Sequence, residues 1–184
     1  MRKLYMVLVA AVVMAVGTGC EKEYDLRRVD DVLVEALNSM FPQANWVEWE
    51  RNGDFYVAEF NEGGSDVKVW FKKRGEWCMT ERDMGRNFQD IPEAVKEAMK
   101  AGKYSTWEID DIDKYERPGE VFYVFTIETS GARDRVLFFA ENGTLLKDAV
   151  ERGDITPKTK IMIVVCRNAK KRFDKPLFKW LWQN

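Results

Sequence analysis

The chain offers few of the groups with which enzymes do chemistry. Its 184 residues contain no His, which removes the commonest general base, the commonest metal ligand and every Ser-His or Cys-His nucleophile arrangement. What remains is a run of carboxylates, Glu108, Asp110, Asp111 and Asp113 in WEIDDIDKYE, and three cysteines, Cys20, Cys78 and Cys166. Hard carboxylate oxygens suit calcium, and paired carboxylates can act as the acid and base of a glycosidase. The run lacks the Gly turn and the spaced ligands of a calcium loop, however, and alternation along a strand sends its carboxylates to opposite faces. The expectation is a solvated edge, with no metal site, no cofactor and no catalytic residues. The glycosidase reading has nothing else in the sequence behind it.

The cysteines divide by context. Cys20 follows the small residues Gly17-Thr18-Gly19, which follow Arg2, Lys3 and the apolar stretch LYMVLVAAVVMAV. Residues 1–19 therefore read as a signal peptide, cleaved before Cys20 with lipidation of its thiol. Gly17 stands where a lipoprotein signal commonly has Leu or another aliphatic residue. An ordinary secretory signal and an uncleaved anchor are the alternatives, and the run is short for a spanning helix. All three place the remainder outside the cytoplasm; the first makes the membrane a partner through the N-terminal lipid, in the outer membrane, facing the periplasm or the cell surface. Residues 20–28 form a short tether, acidic and solvated at Glu21-Lys22-Glu23-Tyr24-Asp25. Cys78, in the alternating run EWCMTE, reads as a small hydrophobe on a strand. An oxidising compartment permits a bridge to Cys166, but nothing in the spacing demands one.

Between these ends the chain says nearly the same thing twice. A helix-like stretch over Val29–Phe41 leads to FYVAEF and VKVWFKKRGEW; IPEAVKEAMK then leads to VFYVFTI and RVLFFAENGTL. Repetition at this period points to a scaffold of repeated supersecondary units. The expected fold is α+β: a tandem repeat of a helix followed by antiparallel strands (29–82 and 91–150), forming one sheet with the helices packed on one face. Its size suits one domain.

Pairing Phe60 with Val67 across Asn61–Ser65 sets Tyr56, Ala58, Phe60, Val67, Val69 and Phe71 on one face. The same register in the second unit gives Tyr123, Phe125, Ile127, Leu137 and Phe139, with Arg135 where Val67 stood. Helix residues expected against this face are Val32, Leu33, Ala36, Leu37 and Met40, then Ile91, Ala94, Val95 and Ala98. The opposite face would expose Val57, Trp70, Phe122, Val124, Val136 and Phe138, with Trp46, Trp49 and Trp107 nearby. An antiparallel sheet carrying helices on one side usually presents polar residues on the other. An apolar one marks an interaction site, or a surface covered by the tail beyond Glu151 or by a twin subunit.

On Phe55–Phe60 with Val67–Phe71 and Gly75, on Phe122–Ile127 with Leu137–Phe139 and Gly143, and on IPEAVKEAMK, residues 29–150 resemble the PepSY-like family of Bacteroides-type periplasmic lipoproteins. The acidic residues after Cys20 are similar to the export signal of such lipoproteins. Members resemble the β-lactamase inhibitory protein, so the resemblance implies a helix-and-sheet scaffold with a binding or inhibitory role. It carries over no catalytic residues.

The extension 151–184 departs from that pattern. From Arg152 onward, nine Lys or Arg face Asp154 and Asp174, a net of +7, whereas Cys20–Glu151 carries −11. Ile161–Cys166 reads as a buried strand, and Phe178, Trp180, Leu181 and Trp182 form an aromatic end. A basic aromatic patch could meet anionic lipid; the preferred expectation is that the tail folds onto its own acidic domain. Nucleic acid is not expected as a partner. The overall expectation is a non-catalytic envelope module that binds a protein, with a small-ligand or calcium-responsive envelope protein as the alternative.

Overall fold

The computed structural model describes Tyr24–Asp25 and residues 29–151. The expected signal peptide, most of the tether and the C-terminal extension, with Cys20 and Cys166, lie outside the described residues. The elements run β1 (Tyr24–Asp25), α1 (Asp31–Met40), β2 (Glu48–Asn52), β3 (Phe55–Glu62), β4 (Ser65–Lys72), β5 (Trp77–Asp83), α2 (Glu93–Ala101), β6 (Glu108–Arg117), β7 (Glu120–Glu128), β8 (Arg135–Ala140) and β9 (Leu145–Val150). The strands form one antiparallel sheet whose spatial order is the chain order, β1 to β9. The described protein is therefore mostly sheet, with two short helices.

Period-two patterning sets the ladder. Phe60 pairs with Val67, and the turn tightens to Gly63-Gly64 because β3 and β4 extend through Glu62 and from Ser65. Both glycines take the positive φ that a two-residue hairpin requires. Phe122–Ile127 is buried at every position, as a central strand apolar on both faces must be.

Both helices lie on one face. Leu33 and Leu37, one turn apart, pack on Ala58, Phe60, Val67, Val69 and Phe71. Val95 and Met99 do the same on Tyr123, Phe125, Ile127, Leu137 and Phe139, with Ile91 entering ahead of the helix. Each such side chain, fully buried, is worth about 1.5–3 kcal/mol. The expected inward sets were too wide: Val32 (43% exposed), Met40 (37%) and Ala94 face solvent, and Met99 was missed. Helices of ten and nine residues reach the sheet with one i, i+4 pair and little more. Phe41, just before Pro42, closes α1 edge-on against Phe60 at 5.2 Å.

The helix backbones sit close against two β-turns. Gly75, between β4 and β5, has φ +74°, and a Cβ there would stand 2.9 Å from the Val32 carbonyl oxygen. Gly143, between β8 and β9, has φ +82°, and a Cβ there would meet the Ala94 carbonyl group, 2.8 Å from its carbon. Only glycine fits both the φ and the space.

Candidate functional site

The sheet face away from the helices is a second apolar layer shared by both halves. Residues directly opposite in a ladder share a face, and the pairs Val57–Trp70, Trp70–Met79, Tyr115–Phe122, Phe122–Ala140 and Val124–Phe138 carry it from β3 to β8. A β-bulge between Trp70 and Phe71 in the β4–β5 ladder brings both Cys78 and Met79 into this cluster. Phe55 meets Trp70 edge-on at 6.2 Å, and Tyr115 stacks on Phe122 at 5.0 Å.

The structure places Val57, Trp70, Phe122, Val124, Val136 and Phe138 together in this cluster, as the register requires. It corrects the exposed reading of this face and agrees with the covered one: none is more than 3% exposed. The alternation of the sequence sorts residues between faces, but it cannot say which face is covered, and apolar surface of this extent is seldom left in water. The neighbouring tryptophans are corrected as well. Trp49 packs on the helix side, 6.1 Å from Phe71, and Trp107 lies on the α2 side, 4.9 Å from Tyr104. Trp46 is on neither layer: it stands 93% exposed in the α1–β2 loop, with φ +53°.

Carboxylates are set into this second layer. Glu50 stands opposite Val57, Glu81 opposite Tyr115, Asp111 opposite Thr126, and Asp113 opposite both Val124 and Asp83. The Tyr115 hydroxyl donates to Glu81 at 3.0 Å; burial, with the Glu81 and Asp113 charges, pushes its pKa well above 10. Burial lowers the pKa of Lys68, but the Glu59 partner at 3.1 Å and the Glu81 and Glu50 charges outweigh it and hold it above 10.5.

The WEIDDIDKYE run does not alternate throughout: a β-bulge between Ile109 and Asp111 shifts the register within it. Glu108 and Asp110 are held by Arg86, at 3.3 and 2.8 Å. Asp111 and Asp113 lie on the face of the second layer, where with Asp83 their carboxylate oxygens lie within 4.8 Å of one another. With one oxygen from each carboxylate the trio supplies three of the six to eight ligands that calcium takes. A shallow polar pocket at the start of β6 and the end of β7, lined by Thr106, Glu108, Glu128, Ser130 and Asp134, had no signal in the sequence.

On the helix side, Asp148 of β9 accepts hydrogen bonds from Tyr104 (2.9 Å), Lys103 (2.8 Å) and Arg135. Burial alone would raise its pKa; the three donors outweigh burial and hold it below 3.8. Both cations also lie over the Tyr104 ring, at 4.7 and 5.4 Å.

This architecture is that of known structures. A "DUF2874 family protein" from Bacteroides ovatus is 27% identical, with a TM-score of 0.65 over 72% of this chain and 96% of that one. A "BLIP-like protein" from Bacteroides fragilis is 31% identical, with a TM-score of 0.62 over 70% of this chain and 92% of that one. A structure from Bacteroides eggerthii described as "putative periplasmic proteins" shares the fold at 23% identity, with a TM-score of 0.64 over 72% of this chain and 98% of that one. No curated protein matches. Residues 54–147 match the family model "Putative beta-lactamase-inhibitor-like, PepSY-like", and with the BLIP-like relative this match makes the chain a member of the PepSY-like family.

Proposed function

We propose that the protein is a non-catalytic envelope module, lipid-anchored through Cys20, that binds another protein, an inhibited secreted or periplasmic enzyme being the first candidate. The observation that carries this reading is the second apolar layer. An aromatic surface set with carboxylates and spanning both halves has the makings of an interface core. Val57, Trp70, Phe122, Val124, Val136 and Phe138 are the residues we assign to it, and their burial means that binding goes with uncovering. The 68-residue offset that relates Gly75 to Gly143 and Trp70 to Phe138 supports a scaffold made by duplication. A relative described as BLIP-like agrees with an inhibitory role.

The test uses a photo-crosslinking amino acid in place of Lys68 or Lys147, which lie on this layer, and in place of Lys73 or Lys100, which do not. In intact envelopes the first pair should yield one specific protein adduct and the second none. Equal yields from both pairs, or none from either, would remove the face from the function.

A further inference from the structure

The second layer is dry, yet neither described helix touches it. Its ten buried side chains, Phe55 to Phe138, belong to β3–β8 alone, and α1 and α2 contribute only to the other face. The Trp70 indole N–H is buried there without an acceptor among the described residues, although a buried indole N–H usually finds one.

The sequence continues for 33 residues past Glu151. That continuation starts beside the layer, since β9 ends at Val150 and the Glu151 N–H is held by the Asp134 carbonyl at 2.9 Å. The ten residues between Val150 and Ile161 can span about 33 Å when extended. The six strand spacings from β9 back to β3 amount to about 29 Å, so the apolar run Ile161–Cys166 can reach across every strand of the layer. Charge fits as well as length. The extension carries +7 against −11 for Cys20–Glu151. Glu50, Glu81, Asp83, Asp111 and Asp113 share a face with the apolar cluster, while Lys158, Lys160 and Arg167 flank the run.

We propose that the C-terminal extension is the protein's own occupant of this layer, with Ile161–Cys166 laid on the aromatic cluster and the flanking cations among its carboxylates. Extended backbone would also bring carbonyls within reach of the Trp70 N–H. A segment on the same chain acts at an effective concentration in the millimolar range, so an incoming partner must displace it. The cover itself does not depend on the partner-binding reading; only its role as a competitor does.

The test needs no partner. In the purified full chain, a photo-crosslinking residue replaces Ile163 or, separately, Val164, so that both sides of an extended run are sampled. Intramolecular adducts on peptides of β3–β8 are expected from at least one position. Adducts on α1 or α2, adducts joining two chains, or none from either position would overturn the proposal; the second outcome would name a twin copy as the cover. A companion chain carries a protease site between Glu151 and Arg152. After cleavage the fragment should co-elute with the domain, and an added Ile163→Asp change should release it with a several-fold rise in binding of an apolar dye. Release of the wild-type fragment from a still-folded domain, without that rise, would count against the cover.

Discussion

In the half from α1 to β5, a Cβ at Gly75 would stand 2.9 Å from a helix carbonyl oxygen; in the half from α2 to β9, a Cβ at Gly143 would press harder, against both atoms of one. The same offset links Thr80, which accepts from the Trp77 indole N–H at 3.1 Å, to Asp148 with its three cationic or hydroxyl donors. The loops that follow the helices differ most: Trp107 packs against the α2 layer, whereas Trp46 stands in solvent. One geometric plan is thus closed by neutral contacts in the first half and by an ionic cluster in the second. Equivalent positions need only equivalent shape, so their chemistry can diverge.

The largest effect should come from the turns. Gly143→Ala combines a left-handed φ with a backbone clash and should cost about 3 kcal/mol, against about 2 kcal/mol for Gly75→Ala. Denaturant unfolding of the two variants checks the order, and equal losses would mean that the tighter seat of α2 does not matter. Next come the two closures. Asp148→Asn should cost about 2 kcal/mol at neutral pH, and Thr80→Val about 1 kcal/mol. Because the folded pKa of Asp148 is depressed below 3.8, its contribution is full above that value and is lost as pH falls through the lower folded one. Stability of the wild type should therefore fall more steeply in acid than that of Asp148→Asn, while Thr80→Val should track the wild type at every pH. A parallel acid limb in all three would unseat the ionic closure. The smallest effect is expected at Trp46, where glycine relieves the positive φ at no packing cost and should gain about 1 kcal/mol. A loss in thermal unfolding would show that the indole has a contact of its own.

Much of this was legible in the sequence, for reasons that also mark the limits. Phe60 opposite Val67 followed from alternation, because a one-residue slip would turn every apolar side chain to the wrong face. Cys78 beside Met79 did not, since a bulge suspends alternation at that point. Val32, Met40 and Ala94 were misplaced because an apolar stripe says which side of a helix is inward but not how much of it a short helix can bury. The Asp148 cluster was invisible, its partners lying on separate elements with no periodic signal. The second layer was legible as apolar, but whether it is open or covered was not, since a pattern of side chains records a face and not what lies over it.

Strand order that follows chain order has a consequence for how the molecule comes into being. Among the described residues every ladder joins neighbours in sequence, so none of these strands waits for a distant partner, and low contact order favours fast folding. A chain that emerges N-terminus first can add each hairpin to the edge already formed, the growing edge being capped in turn by the next strand. The exception is the layer spanning β3 to β8, which is complete only when β8 has joined. Until its last elements arrive, the nascent protein carries an open aromatic surface, the kind of transient exposure on which chaperones act and from which aggregates start.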